Sequence, residues 1–296
     1  MYAIVGASGN TGSVVAEKLL ARGEKVRVIG RNAGHLERLT SRGAEAFIAG
    51  VTDAAAMPKA FEGASAVYAM IPPNISAPDV PAYQRQVSDA LTAAIARASV
   101  PKAVVLSSIG ADKPERTGPV TGLYHLEQKL KGVAGLDAVY LRAGYFMENL
   151  LPQVGVIRNF GIMAGPVRAD LPLPFIATRD IGAAAAELLL KADFTGKQPR
   201  ELLGQRDVTY AEIASIVGKA IGKPGLVYTQ LPAAQLRPAL MQLGMSGSMA
   251  DLLLEMAESL NSGYMTALEP RSESNTTPTS IEAFVTEEFV PRFNAP

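Results

Sequence analysis

Residues 4–15 read "IVGASGNTGSVV". Two apolar residues run into Gly6, Gly9 and Gly12, and a helical apolar pattern starts at once after them. Glycine weakens a regular element through its conformational freedom, so three of them at one spacing need a reason. A turn from a first strand into a first helix supplies it. Gly6 permits the tight turn, Gly9 lets a phosphate approach the backbone, and Gly12 lets the helix pack closely. Unpaired N–H groups at the helix start, together with the helix dipole, attract an anion. Ser8, Asn10 and Thr11 add hydrogen-bonding groups to the same loop. The alternative is a tight strand–helix turn that binds nothing.

The pattern around the loop favours the dinucleotide site. Short apolar runs at 3–5, 25–30, 46–49, 66–71, 103–107 and 137–141 alternate with helical patterns at 11–22, 33–42, 54–61, 81–98 and 122–133. Strands alternating with helices imply right-handed crossovers and a parallel sheet. Strands that are apolar throughout are those covered by helices on both faces. The expected fold class is therefore α/β, a doubly wound parallel sheet of the Rossmann type.

The second strand ends "VIGRN". A site for NAD places Asp or Glu there to accept from the ribose 2′-hydroxyl. Arg31 stands in that place, then Asn32, with His35 and Arg38 further along. A guanidinium holds a 2′-phosphate bidentately, so NADP(H) is expected over NAD(H), with NAD(H) as the alternative.

Composition narrows the remaining choices. The chain has 296 residues, 48% of them hydrophobic, and 28 Lys and Arg balance 28 Asp and Glu. A sizeable core is expected, as one large or two modest domains. Nothing in the charge points to nucleic acid or a membrane surface. There is no cysteine, which removes thiolate chemistry and Cys-bound zinc. Two histidines, His35 and His125, make a multi-histidine metal site an unpromising idea, so no metal is expected. No apolar stretch is long enough to cross a bilayer, and the first residues lack a basic leader and an apolar signal core. The expectation is a cytoplasmic protein, and a homodimer is compatible with so neutral and apolar a chain.

Four stretches together carry a family resemblance: "GASGNTG" at 6–12, "RN" at 31–32, "LRAGYFMEN" at 141–149 and "TPTSIEAFV" at 277–285. The chain resembles, over nearly its whole length, the NmrA-like branch of the atypical short-chain dehydrogenase/reductases. That resemblance implies a cofactor lying over the C-terminal ends of the strands. It includes NADPH-dependent reductases of quinones and dyes, and also catalytically silent proteins that sense NADP(H) and bind regulators. By resemblance, Ile71, Pro72 and Pro73 of "IPPN" would line the ribose, and Ser107 and Ser108 would end the fifth strand near the nicotinamide. Ala143, Gly144, Tyr145 and Phe146 would cover the nicotinamide, and Val51 would pack on adenine with Asp53 nearby. The alternatives are structural: a double proline that ends a strand, core aromatics, and an Asn149 that caps the exit into the next domain.

Short-chain dehydrogenases carry Tyr-x-x-x-Lys on the helix after the fifth strand, where the lysine lowers the tyrosine pKa. Here that helix reads "GLYHLEQKL" at 122–130. Tyr124 is present, but Gln128 stands at the lysine position, and Lys129 is one residue late, about 100° around the helix. Tyr124 and Gln128 are the candidate catalytic pair. In that place Gln128 would hydrogen-bond a ribose hydroxyl without stabilising a phenolate by charge. Electron-poor acceptors such as quinones fit this loss best, because solvent can protonate their product. A hydrolase is disfavoured, because "VLSSIGA" at 105–111 lacks the nucleophile elbow. A P-loop is disfavoured because Ser13 and Val14 follow Gly12. Glu127 and Glu148 are read as structural, as exposed helix-face charges usually are.

The expected domains are 1–149, with a return to the sheet at about 175–205, and a smaller C-terminal α/β substrate domain from 150–174 and 206–296. Met241, Met245, Met249, Met256 and Met265 crowd the second unit. With Phe146 and Phe160 they would wall a pocket for a small apolar or aromatic substrate, or else fill a helix interface. "LGMSGSM" at 243–249 would hinge a lid, and Asp180 would cap a helix. The function expected is hydride transfer from NADPH to a quinone-like or aromatic acceptor. The rival is an NADP(H)-sensing regulator.

Overall fold

The computed structural model describes residues 1–295. The first half alternates as the apolar pattern requires: β1 (Tyr2–Val5), α1 (Asn10–Ala21), β2 (Val26–Gly30), α2 (Glu37–Thr40), β3 (Glu45–Ile48), α3 (Met57–Phe61), β4 (Ala66–Ala69), α4 (Val80–Arg97), β5 (Lys102–Ser108), α5 (Thr121–Lys131) and β6 (Asp137–Ala143). The second half contains β7 (Tyr145–Phe146), α6 (Gln153–Phe160), β8 (Met163–Gly165), β9 (Leu173–Ile176), α7 (Thr178–Lys191), β10 (Lys197–Leu202), β11 (Asp207–Val208), α8 (Tyr210–Ala220), β12 (Tyr228–Gln230), α9 (Ala233–Gln242), α10 (Gly247–Asn261), α11 (Ile281–Phe284) and α12 (Val290–Asn294).

Seven parallel strands make the main sheet in the order β10–β6–β5–β4–β1–β2–β3. The order reverses at β1, whose Tyr2 lies opposite both Val26 and Ala66. Ligands of open α/β sheets bind at such a switch point. Strand alternation explains the two cores. Ile4, Val28 and Val104 pack with Val15, Leu19 and Ile181 on one face. Ala3, Val5 and Val105 pack with Phe61, Leu91 and Leu126 on the other. Fully burying side chains of this size stabilises by roughly 1.5–3 kcal/mol each.

Three elements depart from the sequence pattern. β10, "KQPREL", is polar with a central Pro199, and its middle residues are exposed. It is an edge strand, where Pro and charge are tolerated, so it shows no apolar run. β9, which begins the apolar "PFIATRD" stretch, joins a small sheet β11–β9–β7 rather than the main one. The methionine-rich stretch 233–264, apolar at helical spacing, holds two helices, interrupted where Gly244 takes φ 89°.

Around the small sheets a third core gathers Phe175, Ile213, Phe284 and Phe289. Two acids tie α7 to the segments around this core. Asp180, expected to cap α7, instead accepts from Thr279 N–H at 2.9 Å and Thr279 Oγ1 at 2.8 Å. Glu148 is no solvated charge either: it accepts from Thr178 N–H at 3.0 Å and Thr178 Oγ1 at 2.5 Å. Among the described residues no helix is long and apolar enough to cross a membrane.

Candidate functional site

The glycine loop leaves β1 at Gly6, where φ is +68°. Gly9 N–H donates to Gly6 O at 2.9 Å. A Cβ on Gly12 would stand 2.4 Å from Gly6 O, so any side chain there would break the loop. Gly9 caps α1 in an extended conformation and contributes no side-chain bond. The first N–H groups of a helix have no partner inside it, and here no side chain caps them. Ser8, Gly9 and Asn10 are exposed at the mouth. Thr11 is a correction: its side chain is buried, and its Oγ1 accepts from Tyr68 Oη at 2.9 Å. Only its backbone belongs to the loop mouth, because the 100° step of the helix turns its side chain toward the core.

Arg31 stands exposed at the end of β2, and no carboxylate pairs with it among the described residues. Arg38 is committed to Glu17, and Asn32 Oδ1 accepts from Gly34 N–H at 2.8 Å. Tyr83 on α4 donates to Pro72 O at 3.0 Å. Burial raises its phenol pKa, and the nearby Arg31 charge partly offsets that rise. The Arg31 charge thus stands near enough to act on Tyr83, whose hydroxyl is tied to Pro72. Val51 is half-buried against the core. Asp53 does not face the crevice as an open acceptor: its Oδ1 takes the N–H groups of Ala55 and Ala56 at 3.0 and 2.9 Å.

Beyond the strand ends lies a cavity of about 720 Å³. Its floor comes from Ile71, Pro72 and Pro73 after β4, Ser107 and Ser108 ending β5, and Gly144, Tyr145 and Phe146 after β6. Met245, Met249, Met256 and Met265 form the opposite wall, and Asn149 also lines it. Phe160 does not: it ends α6 and is 74% exposed. Met241 is likewise exposed on α9, outside the lining.

The catalytic pair expected on α5 is also corrected. Leu123 faces the cavity, while Tyr124 is half-buried, edge-on to the His125 ring at 5.4 Å, and does not line it. Gln128 is exposed, and Lys129 pairs with Asp89. The apolar stripe Leu123, Leu126, Leu130 fixes the helix rotation, and it turns Tyr124 and Gln128 aside. Glu127 shares that inward face, one turn after Leu123, and is buried rather than solvated. It accepts from Ser107 Oγ at 2.6 Å and from Arg142 Nε and Nη2 at 3.0 and 2.7 Å. Its spacing from Leu123 was the signal that it points inward. The pair ties α5 to the ends of β5 and β6 behind the cavity floor.

Tyr145 packs its ring edge-on to Phe175 at 5.4 Å and Tyr210 at 6.5 Å. Burial pushes its phenol pKa up from the ordinary value, against a smaller lowering by its bond with Tyr210. It therefore stays protonated through the neutral range and can donate.

The NmrA-like family model matches residues 2–285. The chain belongs to the NmrA-like family. It is 25% identical over 287 residues, 92% of each chain, to an uncharacterized oxidoreductase, YesF, of Bacillus subtilis (strain 168). Its fold is similar to the NADPH complex of the NADPH-dependent quinone oxidoreductase QOR2 of Escherichia coli. That match has a TM-score of 0.82 and 24% identity, covering 98% of this chain and 100% of that one. It is also similar to the Citrobacter sp. triphenylmethane reductase complexed with NADP(H), with a TM-score of 0.80 and 17% identity, covering 96% and 99%.

Proposed function

We propose that this chain binds NADP(H) and reduces an apolar aromatic acceptor of the quinone or dye kind. The observation that carries this reading is the methionine-walled cavity set against the ends of β4, β5 and β6, beside an uncapped helix N-terminus. The QOR2 and triphenylmethane reductase structures, solved with NADPH and NADP(H), support the same cofactor.

The residues fit the group. Gly9 has no side chain, and α1 has no side-chain cap in its first turn. Those N–H groups, with Ser8 and Asn10, would hold the pyrophosphate. Arg31, free of a carboxylate, would hold the 2′-phosphate. Val51 would pack on adenine, and Ile71, Pro72 and Pro73 would line the ribose. Ser107, Ser108, Gly144, Tyr145 and Phe146 would frame the nicotinamide. When bound, NADPH supplies hydride to an electron-poor carbon. Tyr145 would orient the acceptor oxygen as a neutral donor, and the methionines would exclude water and adapt to flat rings.

The reading needs no tyrosine–lysine acid pair, because reduced quinones take their proton from solvent. The rival sensor reading draws on one observation: no lysine lines the cavity. NADPH oxidation by the purified protein with a panel of quinones, dyes and enones tests the two, with NADPH binding followed by calorimetry. Acceptor-dependent oxidation is expected. Tight binding without oxidation by any acceptor would overturn the reductase reading in favour of the sensor. Tyr145→Phe is expected to lower kcat about tenfold, the worth of one hydrogen bond to a developing oxyanion at the modest end, while Tyr124→Phe stays within about twofold. A larger loss in Tyr124→Phe would return the acid role to α5.

A further inference from the structure

Beside the main cavity a polar groove of about 360 Å³ lies between α4, α5 and the middle of α10, and its charged lining residues Arg85, Glu115, Arg116 and Glu255 are exposed. Gln84 is the one residue that lines both. Its Nε2–H donates to Pro119 O at 2.8 Å. Its amide lies flat against α5, where a Cβ on Gly122 would stand 2.3 Å from Oε1 and 2.4 Å from Cδ. A glycine in a helix costs roughly 0.5–1 kcal/mol relative to alanine, so the first turn of α5 is weakened at the spot where the amide is seated.

The two chambers differ in chemistry. The main one is walled by Met, Leu, Pro and aromatic residues. The second presents Arg85, Arg116, Glu115 and Glu255 with His125 and Ser88. Two arginines against two glutamates leave its charged lining balanced. Glu255 is partly committed, accepting from Gly118 N–H at 2.9 Å, and Arg116 stacks over the Tyr264 ring at 5.0 Å. A groove whose exposed charges balance offers hydrogen bonds and no net field to draw in an ion, which suits an uncharged polar group.

We propose that Gln84 is a movable partition, and that the second chamber is a subsite for an uncharged polar arm on the aromatic acceptor. This rests on the reading of the main cavity as the acceptor site. A ring seated over the strand ends directs a substituent along α4 toward Gln84. The amide then leaves the Pro119 carbonyl and the Gly122 seat, and the arm takes up the hydrogen bonds of the second chamber. The device separates two tasks: the apolar chamber accepts the ring, and the polar chamber measures what the ring carries.

The test uses the full chain with saturating NADP+ and two probes, menadione and a menadione derivative bearing a hydroxyhexyl arm. Calorimetry gives the two dissociation constants, and NADPH oxidation is followed in parallel. The wild type is expected to bind the arm-bearing probe more tightly. Gln84→Ala removes the partition and should tighten the arm-bearing probe about fivefold more than it changes menadione, within the worth of one hydrogen bond. His125→Trp, at an exposed position on the second chamber only, should weaken the arm-bearing probe and leave menadione alone. Equal effects on both probes, or none on either, overturn the partition. Failure of menadione to oxidise NADPH in every variant overturns the reductase reading instead. The binding constants still decide the subsite in that case. Menadione binding nowhere, with the arm-bearing probe likewise silent, overturns both.

Discussion

The glycine turn and the methionine wall are built on opposite principles. At residues 6–12 the backbone itself is the instrument. Gly12 lies so close to Gly6 O that no side chain fits, and the N–H groups of α1 point where the carbon skeleton leaves them. Along α10 the backbone is an ordinary helix, and the cavity is shaped by the thioethers of Met249 and Met256 with Met245 and Met265 at its flanks. A phosphate is one shape with one charge, and a rigid turn matches it. An aromatic acceptor varies in outline, and flexible side chains follow it.

The contrast breaks hardest where a backbone-built feature meets the small sheet. Gly144 follows β6, and a Cβ there would stand 2.1 Å from Pro174 O of β9. Backbone cannot swing away as a side chain can. Gly144→Ala is therefore expected to destabilise the protein by about 3 kcal/mol, at the upper end for overpacking, read from the urea midpoint. An unchanged midpoint would mean the small sheet is loosely held, against the picture of a rigid floor.

The turn itself gives the largest effect on binding. A Cβ on Gly9 meets only Gly6 O, at 3.3 Å, and its backbone is extended. Gly9→Val should leave the melting temperature nearly intact and weaken NADPH by about a hundredfold, through lost phosphate contacts of 1.5–3 kcal/mol each. Normal NADPH binding by this variant would undo the phosphate-loop assignment. Arg31→Ala is smaller and selective. It should weaken NADPH by about tenfold, one charge-assisted contact, and leave NADH alone, as paired calorimetric titrations would show. Equal losses for both cofactors would remove the 2′-phosphate role.

How far the sequence reveals these parts follows the same division. The turn, the alternating strands and the switch point are local or periodic features, and "IVGASGNTGSVV" with its flanking pattern carries them. Edge strand β10 is invisible for the reason it is an edge: its exposed Gln198, Pro199 and Arg200 hide the strand period. Motif position alone points to Thr11, Tyr124 and Gln128, yet helix rotation decides where a side chain points. The apolar stripe Leu123–Leu126–Leu130 turns Tyr124 and Gln128 off the cavity and Glu127 into the core. Asp180 reads as a helix cap and Glu148 as a helix-face charge, because their partners Thr279 and Thr178 lie far along the chain.

The wall should answer to mutation more quietly than the turn, and that quietness is itself informative. Met256 is half-buried, lines the main cavity and packs where α10 crosses the segment at Gly118. Met256→Leu nearly conserves volume, so its cost to stability should stay below about 1.5 kcal/mol. Turnover of a compact acceptor should hold within about twofold, because apolar area lost from the ring is small. The breadth of acceptors should contract instead, since leucine is branched and cannot follow an irregular ring as the unbranched thioether does. Rates across the quinone and dye panel, plotted for wild type against Met256→Leu, would therefore fall on a line for small rings and bend downward for bulky ones. A uniform drop across the panel would mean that Met256 is fixed packing, and that the compliance of the cavity lies elsewhere along α10.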